Sequence, residues 1–177
     1  GSASAYGNIL AVKQGNENAP KIKALKAALE SKQVADYINN KYNGSVVSVV
    51  ENPGDGYDSS VDYNALKGTT ITVAASPAPH KEILDVAKEI LAAKGVTLDI
   101  KEFTDYVQPN NVVENGEIDV MGDISYTDER AQKMFFSDEP MGEEKYILYA
   151  DLSNIDIGTS DFKFMDGKRV GVLMGTE

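Results

Sequence analysis

The chain has 177 residues, 42% hydrophobic and 25% charged, enough for one ordinary domain, or one domain with an appendage, around a sizeable core. Its net charge of −11 works against sequence-independent binding to DNA or RNA, which needs a dense Lys/Arg surface, and against anionic membranes. Cysteine is absent, which excludes a disulfide framework and a cysteine-based metal site. No apolar run approaches the roughly 18 residues of a spanning helix, and no basic–apolar–small leader is present. Gly1-Ser2 reads as an expression remnant, and a native export signal would have been removed.

In chain order, Ile9–Val12 reads as a short apolar strand. Asn16–Pro20 reads as a loop into a helix, with Pro20 suited to the first turn and Ile22, Leu25, Ala28 and Leu29 on one face. Ser31 is placed to cap a second helix carrying Val34, Tyr37, Ile38 and Tyr42, and Gly44 supplies a left-handed stop. Val46–Val50 is a β-branched run. Residues 51–68 then become rich in turn formers, Asn52-Pro53-Gly54-Asp55-Gly56 above all, and read as a linker between residues 1–50 and the main part, 69–177.

The main part alternates. Thr70–Ala75 reads as a buried strand. Pro79–Lys94 reads as an amphipathic helix with Ile83, Leu84, Ala87, Ile90 and Leu91 inward, closed by Gly95. Val96–Phe103 reads as a second strand, with Val96, Leu98 and Ile100 on one side. Tyr106–Val113 reads as a short helix ended by Asn115-Gly116, and Ile118–Met121 as a third strand. This order predicts βαβ crossovers and a parallel sheet whose strand carboxyl ends share one edge, where such sheets bind ligands. Further on come a short helix at Asp128–Lys133, a strand at Tyr146–Ala150, a polar loop and a last strand at Lys168–Met174.

Few residues carry distinctive chemistry. In Ser125-Tyr126-Thr127-Asp128-Glu129-Arg130, Thr127 suits a helix N-cap and the two acids suit its positive end. Arg130 would sit in that first turn, where a planar guanidinium can take a carboxylate in a bidentate grip with Ser125 beside it. Local spacing on its own favours the ordinary alternative, a surface ion pair with Asp128 or Glu129. Asn8, at the mouth of a strand, can accept from an ammonium and donate to a carboxylate; a turn or cap role fits slightly better. Tyr106 stacks on a ligand or, more ordinarily, covers the core. Thr176 ends a strand–Gly–Thr unit whose backbone suits anions. His80, the only histidine, begins the helix near Pro79; no nucleophile elbow, metal-ligand spacing or phosphate loop accompanies it.

Several stretches together resemble a known family. Thr70-Ile-Thr-Val-Ala-Ala-Ser-Pro-Ala-Pro-His80-Lys-Glu-Ile-Leu, then Glu102-Phe-Thr-Asp-Tyr-Val-Gln-Pro-Asn110 and Asn115-Gly-Glu-Ile-Asp119, resemble the start of the NlpA-type methionine-binding lipoproteins. These are substrate-binding components of methionine ABC importers. Ala5-Tyr-Gly-Asn-Ile-Leu-Ala-Val through Tyr42-Asn-Gly44 resembles the end of the same family, so residues 5–119 stand in permuted order, by circular permutation or by a cut from a tandem. After Asp119 the pattern changes. Residues 117–177, with Ser125 through Arg130 and Asp166-Gly-Lys-Arg-Val-Gly-Val-Leu-Met-Gly-Thr176, resemble the family 3 polar amino-acid-binding proteins. The switch at Glu117–Gly122 suggests a composite or engineered sequence.

The resemblance implies that Ser125 and Arg130 hold a ligand α-carboxylate, that Thr176 matches a second-lobe contact, that Asn8 matches a ligand-contacting asparagine, and that Tyr106 lies near the pocket. Asp123 stands where a small hydroxyl residue is common, which leaves the ligand open. The implied fold is a three-layer α/β domain with a central, mostly parallel sheet, a single lobe of the type II periplasmic-binding-protein kind, all one compact domain. The implied function is non-enzymatic, cofactor-free binding of a small amino-acid-like ligand, with an ABC transporter permease as partner and no nucleic acid. The parent would be an extracellular or periplasmic membrane-anchored lipoprotein and the chain itself soluble, with self-association through the face of the missing lobe as a further expectation. Two other readings stand beside it: a flavodoxin-like scaffold without a ligand, and a small hydrolase built on His80.

Overall fold

The computed structural model describes residues 7–104, 108–124 and 128–144. Residues 1–145 form one compact unit and residues 146–177 a second; the described residues all belong to the first. The strands Tyr146–Ala150 and Lys168–Met174 expected from sequence lie outside the described residues.

Strand β1 (Gly7–Lys13) leads through a turn into helix α1 (Pro20–Leu29), with Pro20 in its first turn. A proline costs nothing there, because that N–H has no intrahelical partner. Ile22, Ala24, Leu25, Ala28 and Leu29 are buried along one stripe. Ser31 then caps α2 (Lys32–Lys41) by accepting from the Val34 N–H at 3.2 Å. Asn43 (φ 47°) and Gly44 (φ 85°) turn the chain out of α2 through the left-handed region, which favours small polar residues and glycine. The β-branched run that follows contributes only a short strand, β2 (Val46–Val47).

The turn-rich stretch 51–68 is tied down along its length. The Gly54 N–H donates to the Glu30 carbonyl (3.0 Å), and its carbonyl accepts from the Lys32 N–H (2.8 Å). The Tyr57 hydroxyl donates to the Ile90 carbonyl at 3.2 Å, and Tyr57 and Tyr63 meet edge to face at 5.5 Å. The Lys94 ammonium lies 4.6 Å over the Tyr57 ring. Asp62 caps the one-turn helix α3 (Tyr63–Leu66).

Strand β3 (Thr70–Ala75) is followed by an irregular turn, Pro77–Lys81, that contains a cis Ala78–Pro79 peptide. This turn runs directly into helix α4 (Glu82–Ala92), and its one extended residue, Ala78, lies just before Pro79, where the sequence places the helix start. Its buried residues are Ile83, Leu84, Ala87, Ile90 and Leu91. Strand β4 (Thr97–Glu102), helix α5 (Gln108–Glu114), strand β5 (Val120–Ile124), the single turn α6 (Asp128–Ala131) and strand β6 (Met134–Glu144) complete the described chain.

The six strands form one sheet in the order β2-β6-β1-β5-β3-β4. β3 pairs in parallel with β4 and β5, whereas β1 runs antiparallel between β5 and β6. Thus β3, β4, β5 and β6 all point the same way. One face of the sheet, with Val12, Ile71, Val73 and Leu98, packs on α1, α2 and α4; the other, with Ala11, Ala74 and Met121, packs on α5 and α6. The result is the expected three-layer α/β arrangement. Each fully buried Leu or Ile, such as Ile38, Leu91 and Leu98, contributes about 1.5–3 kcal/mol of transfer free energy.

Strand β6 departs most from the sequence reading. The sequence reading places no strand between the short helix at Asp128–Lys133 and Tyr146, yet a strand runs from Met134 to Glu144, across Pro140. The register shows how: Ile9 faces Pro140 while Ala11 faces Phe136, so β6 carries extra residues between those pairs. A bulge of this kind takes up polar residues and a proline without ending the strand.

Candidate functional site

The parallel strands end together at Ala75, Glu102 and Ile124. The antiparallel β1 starts at that same edge, because Ile9 pairs with Ile124. Asn8, paired with Gly142 of β6, therefore stands near the end of β5, where Asp123 lies. The backbone brings these two predicted positions to one carboxyl edge of the sheet. Arg130 lies in α6, on the segment that leaves this edge and returns to the start of β6, and is half-buried. Ser125, Tyr106 and Thr176 lie outside the described residues.

The same edge holds a feature the sequence reading did not assemble. Ser76 directly follows β3, and its Oγ lies 2.7 Å from His80 Nδ1. His80 is only 3% exposed. The Lys81 N–H donates to the Ser76 carbonyl at 3.0 Å and closes the turn. The signal was a Ser-x-x-x-His spacing across two prolines, hidden because both residues also suit a helix start.

Charge gathers beside this turn. Lys41 Nζ contacts Glu82 Oε1 at 3.0 Å, and the Tyr42 hydroxyl donates to Glu82 Oε2. These donors, Tyr42 foremost, hold the Glu82 carboxyl below its ordinary range. Burial, reinforced by the Glu82 carboxylate, pushes the Tyr42 phenol well above its own. Lys81 pairs with Asp85 at 2.9 Å and approaches Glu102 at 3.8 Å. A shallow cavity of about 520 Å³ lies here, bordered by Tyr37, Pro77, Glu82, Asp85 and Glu102. Among the described residues no group of acids and histidine is arranged to hold a metal ion.

At the opposite end of the strands, Asp119 serves as a tie. Its carboxylate accepts from Lys21 Nζ (2.7 Å), from the Thr72 N–H (3.0 Å) and from the Thr72 hydroxyl (3.1 Å). Burial acts to raise its pKa, but Lys21 and Thr72 outweigh that and hold it below the ordinary aspartate value.

A larger cavity has a volume of about 790 Å³. Leu10, Val12, Ile22, Lys26, Asp58 and Phe135 are among the residues that line it. Arg130 is not among the described residues that line it.

The NlpA lipoprotein family model matches residues 1–50 and 71–132, well over half of the chain. The chain belongs to the NlpA lipoprotein family. The unmatched residues between the two blocks fall almost wholly within the turn-rich stretch 51–68. A 46-residue stretch is 50% identical to the methionine-binding lipoprotein MetQ of Bacillus subtilis, covering 26% of this chain and 17% of that protein. A phosphate ABC transporter phosphate-binding protein from Streptococcus pneumoniae matches in fold at a TM-score of 0.57 and 12% identity, over 78% of this chain and 49% of that one. A pheromone cOB1 precursor/lipoprotein of the YaeC family from Enterococcus faecalis is 45% identical over 30% of this chain and 22% of that one, at a TM-score of 0.29. The chain thus spans half or less of the length of these relatives. Among the described residues no helix is long and apolar enough to cross a membrane.

Proposed function

We propose that this chain binds a small amino-acid-like molecule reversibly and without catalysis, as part of the substrate-binding component of an ABC importer. Methionine is the first candidate, because the 46-residue match is to a methionine-binding lipoprotein. The parent protein would work outside the cytoplasm, held to a membrane as a lipoprotein, and would deliver its ligand to a transporter permease.

The observation that carries the reading is topological. In a family member, Asn8 and Asp123 converge on the carboxyl edge of the parallel strands, where open α/β sheets bind ligands. Arg130 is assigned the carboxylate grip, with Ser125 beside it. Asn8 and Asp123 provide further polar contacts, and Tyr106 and Thr176 complete the set.

A single lobe leaves one side of its ligand in water. Burial then falls below the roughly 70–90% usual for an enclosed ligand, so the affinity should be about millimolar, a total of about 4 kcal/mol. Calorimetry with methionine and a panel of polar amino acids tests this. Weak saturable heat that disappears in Arg130→Ala is expected. Micromolar binding that survives Arg130→Ala would refute the assigned site, and no saturable heat with any amino acid would favour the ligand-free scaffold.

A further inference from the structure

We infer that Asn43 is a site of spontaneous modification: its side chain deamidates through a cyclic imide to aspartate and isoaspartate, in preference to Asn115, the other asparagine that a glycine follows. The inference is independent of the proposed binding function and concerns the turn between α2 and β2.

The reaction needs only water and hydroxide. The Gly44 backbone nitrogen gives its proton to hydroxide and attacks Asn43 Cγ. The new N–Cγ bond closes a cyclic imide as the Cγ–Nδ2 bond breaks, and the side-chain nitrogen takes up a proton and leaves as ammonia. Water then opens either imide carbonyl. One opening gives aspartate. The other gives isoaspartate, whose main chain runs through the former side chain and is longer by one carbon. No oxidation or reduction takes place. Glycine after asparagine favours the attack, because no Cβ crowds its nitrogen.

Sequence makes the two Asn-Gly sites equal, and both are exposed. Their hydrogen bonds separate them. Asn43 and Gly44, with φ 47° and 85°, are the central residues of a turn closed by the Ser45 N–H on the Tyr42 carbonyl (2.9 Å), with the Ser45 hydroxyl on the same oxygen (2.7 Å). Both φ signs and the Asn-Gly pair fit a type I′ turn. The Gly44 N–H has no acceptor among the described residues, and a Cβ added at Gly44 would meet nothing within 4 Å. The turn has to open for Cγ to reach that nitrogen, and little opposes it, since β2 just beyond is only two residues long. At Asn115 the attacking nitrogen is engaged: the Gly116 N–H donates to the Val113 carbonyl at 3.0 Å. The Asn115 N–H donates to the Asn111 carbonyl (2.9 Å), and the Glu117 and Ile118 N–H groups both donate to the Val112 carbonyl (2.9 and 3.0 Å). That loop is fastened to the end of α5 along its whole length. Reaction at Asn43 adds a negative charge to a net −11 and, as isoaspartate, lengthens the link between α2 and the pairing of Val46 and Val47 with β6.

The test is incubation of the whole chain in mildly alkaline buffer, native and in urea, followed by tryptic peptide mapping with enzymatic methyl labelling of isoaspartate. Asn43 falls in the peptide Tyr42–Lys67 and Asn115 in Glu102–Arg130. In the native chain Asn43 should convert about tenfold faster than Asn115, because more hydrogen bonds have to open at Asn115 first and each lowers the reactive population several-fold. In urea the two rates should come together. The native product should elute from an anion exchanger as a more acidic species, and Asn43→Gln should lose that species. Equal rates at the two sites in the native chain would overturn the inference. So would an Asn43 peptide that stays intact in the native chain while it converts in urea.

Discussion

Replacing Asp119 by Asn tests a polar group that ties two strands to a helix. The carboxylate accepts three hydrogen bonds, from Lys21 Nζ at 2.7 Å and from the Thr72 N–H and hydroxyl at 3.0 and 3.1 Å. It joins α1 to the starts of β3 and β5. Asparagine keeps one acceptor oxygen, so it can serve Thr72 or Lys21 but not both. A hydrogen bond to a charged group contributes about 1.5–3 kcal/mol. The Lys21 partner is about one-third exposed, and solvent screening reduces its share to about 1 kcal/mol or less. A total loss of about 2 kcal/mol follows.

Urea unfolding is the assay. With a slope of about 2 kcal/mol/M the midpoint should fall by about 1 M without a change in slope. The pH dependence gives a second check. The Asp119 pKa is lowered in the folded state, so its stabilisation is present in full above the unfolded value of about 3.9 and is lost as pH falls through the folded value. The gap between wild type and Asp119→Asn should therefore be full near about pH 7 and should shrink below about pH 4. A loss under about 0.5 kcal/mol at neutral pH, in the range of an ordinary surface change, would refute the reasoning. So would a gap that persists undiminished in strong acid.

Ser31→Ala removes the cap of α2 at a position only 1% exposed and should cost about 1 kcal/mol, read from the same urea midpoints. Gly56→Ala should cost more, about 2 kcal/mol or above: its φ is +98°, and an added Cβ would lie 2.9 Å from Ile90 Cγ2. A thermal midpoint equal to wild type in Gly56→Ala would contradict that packing.

The elements most legible in the sequence were those whose information is local. The five inward residues of α4 read from periodicity are its five buried residues, and Ser31, Gly44 and Gly95 mark helix ends as their chemistry requires. Strand β6 was not read from the sequence, because its polar residues and Pro140 carry no strand pattern, and the irregular register opposite Ile9 that admits them is not a local feature. That the N-terminal strand joins the same sheet was expected, but its antiparallel place between β5 and β6 was hidden, since pairing between distant strands leaves no local mark. Stretch 51–68 showed its turn formers plainly, but the hook of Tyr57 onto Ile90 depends on a residue far along the chain. The proposed site comes from resemblance alone. Spacing by itself made Arg130 a surface charge and His80 a helix start, and the Ser76–His80 pair emerged only once the turn between them was folded.

The central claim is that an amino-acid-like ligand binds at the carboxyl edge of β3, β4 and β5. The direct measurement is an amide chemical-shift titration of the isotope-labelled chain with L-methionine. The account predicts progressive, saturable shifts at the amides of Asn8, Ser76, Asp123 and Arg130, with a midpoint of about 1 mM. Shifts confined to the larger cavity at Leu10, Val12 and Phe135, or no shift well above that concentration, would contradict it.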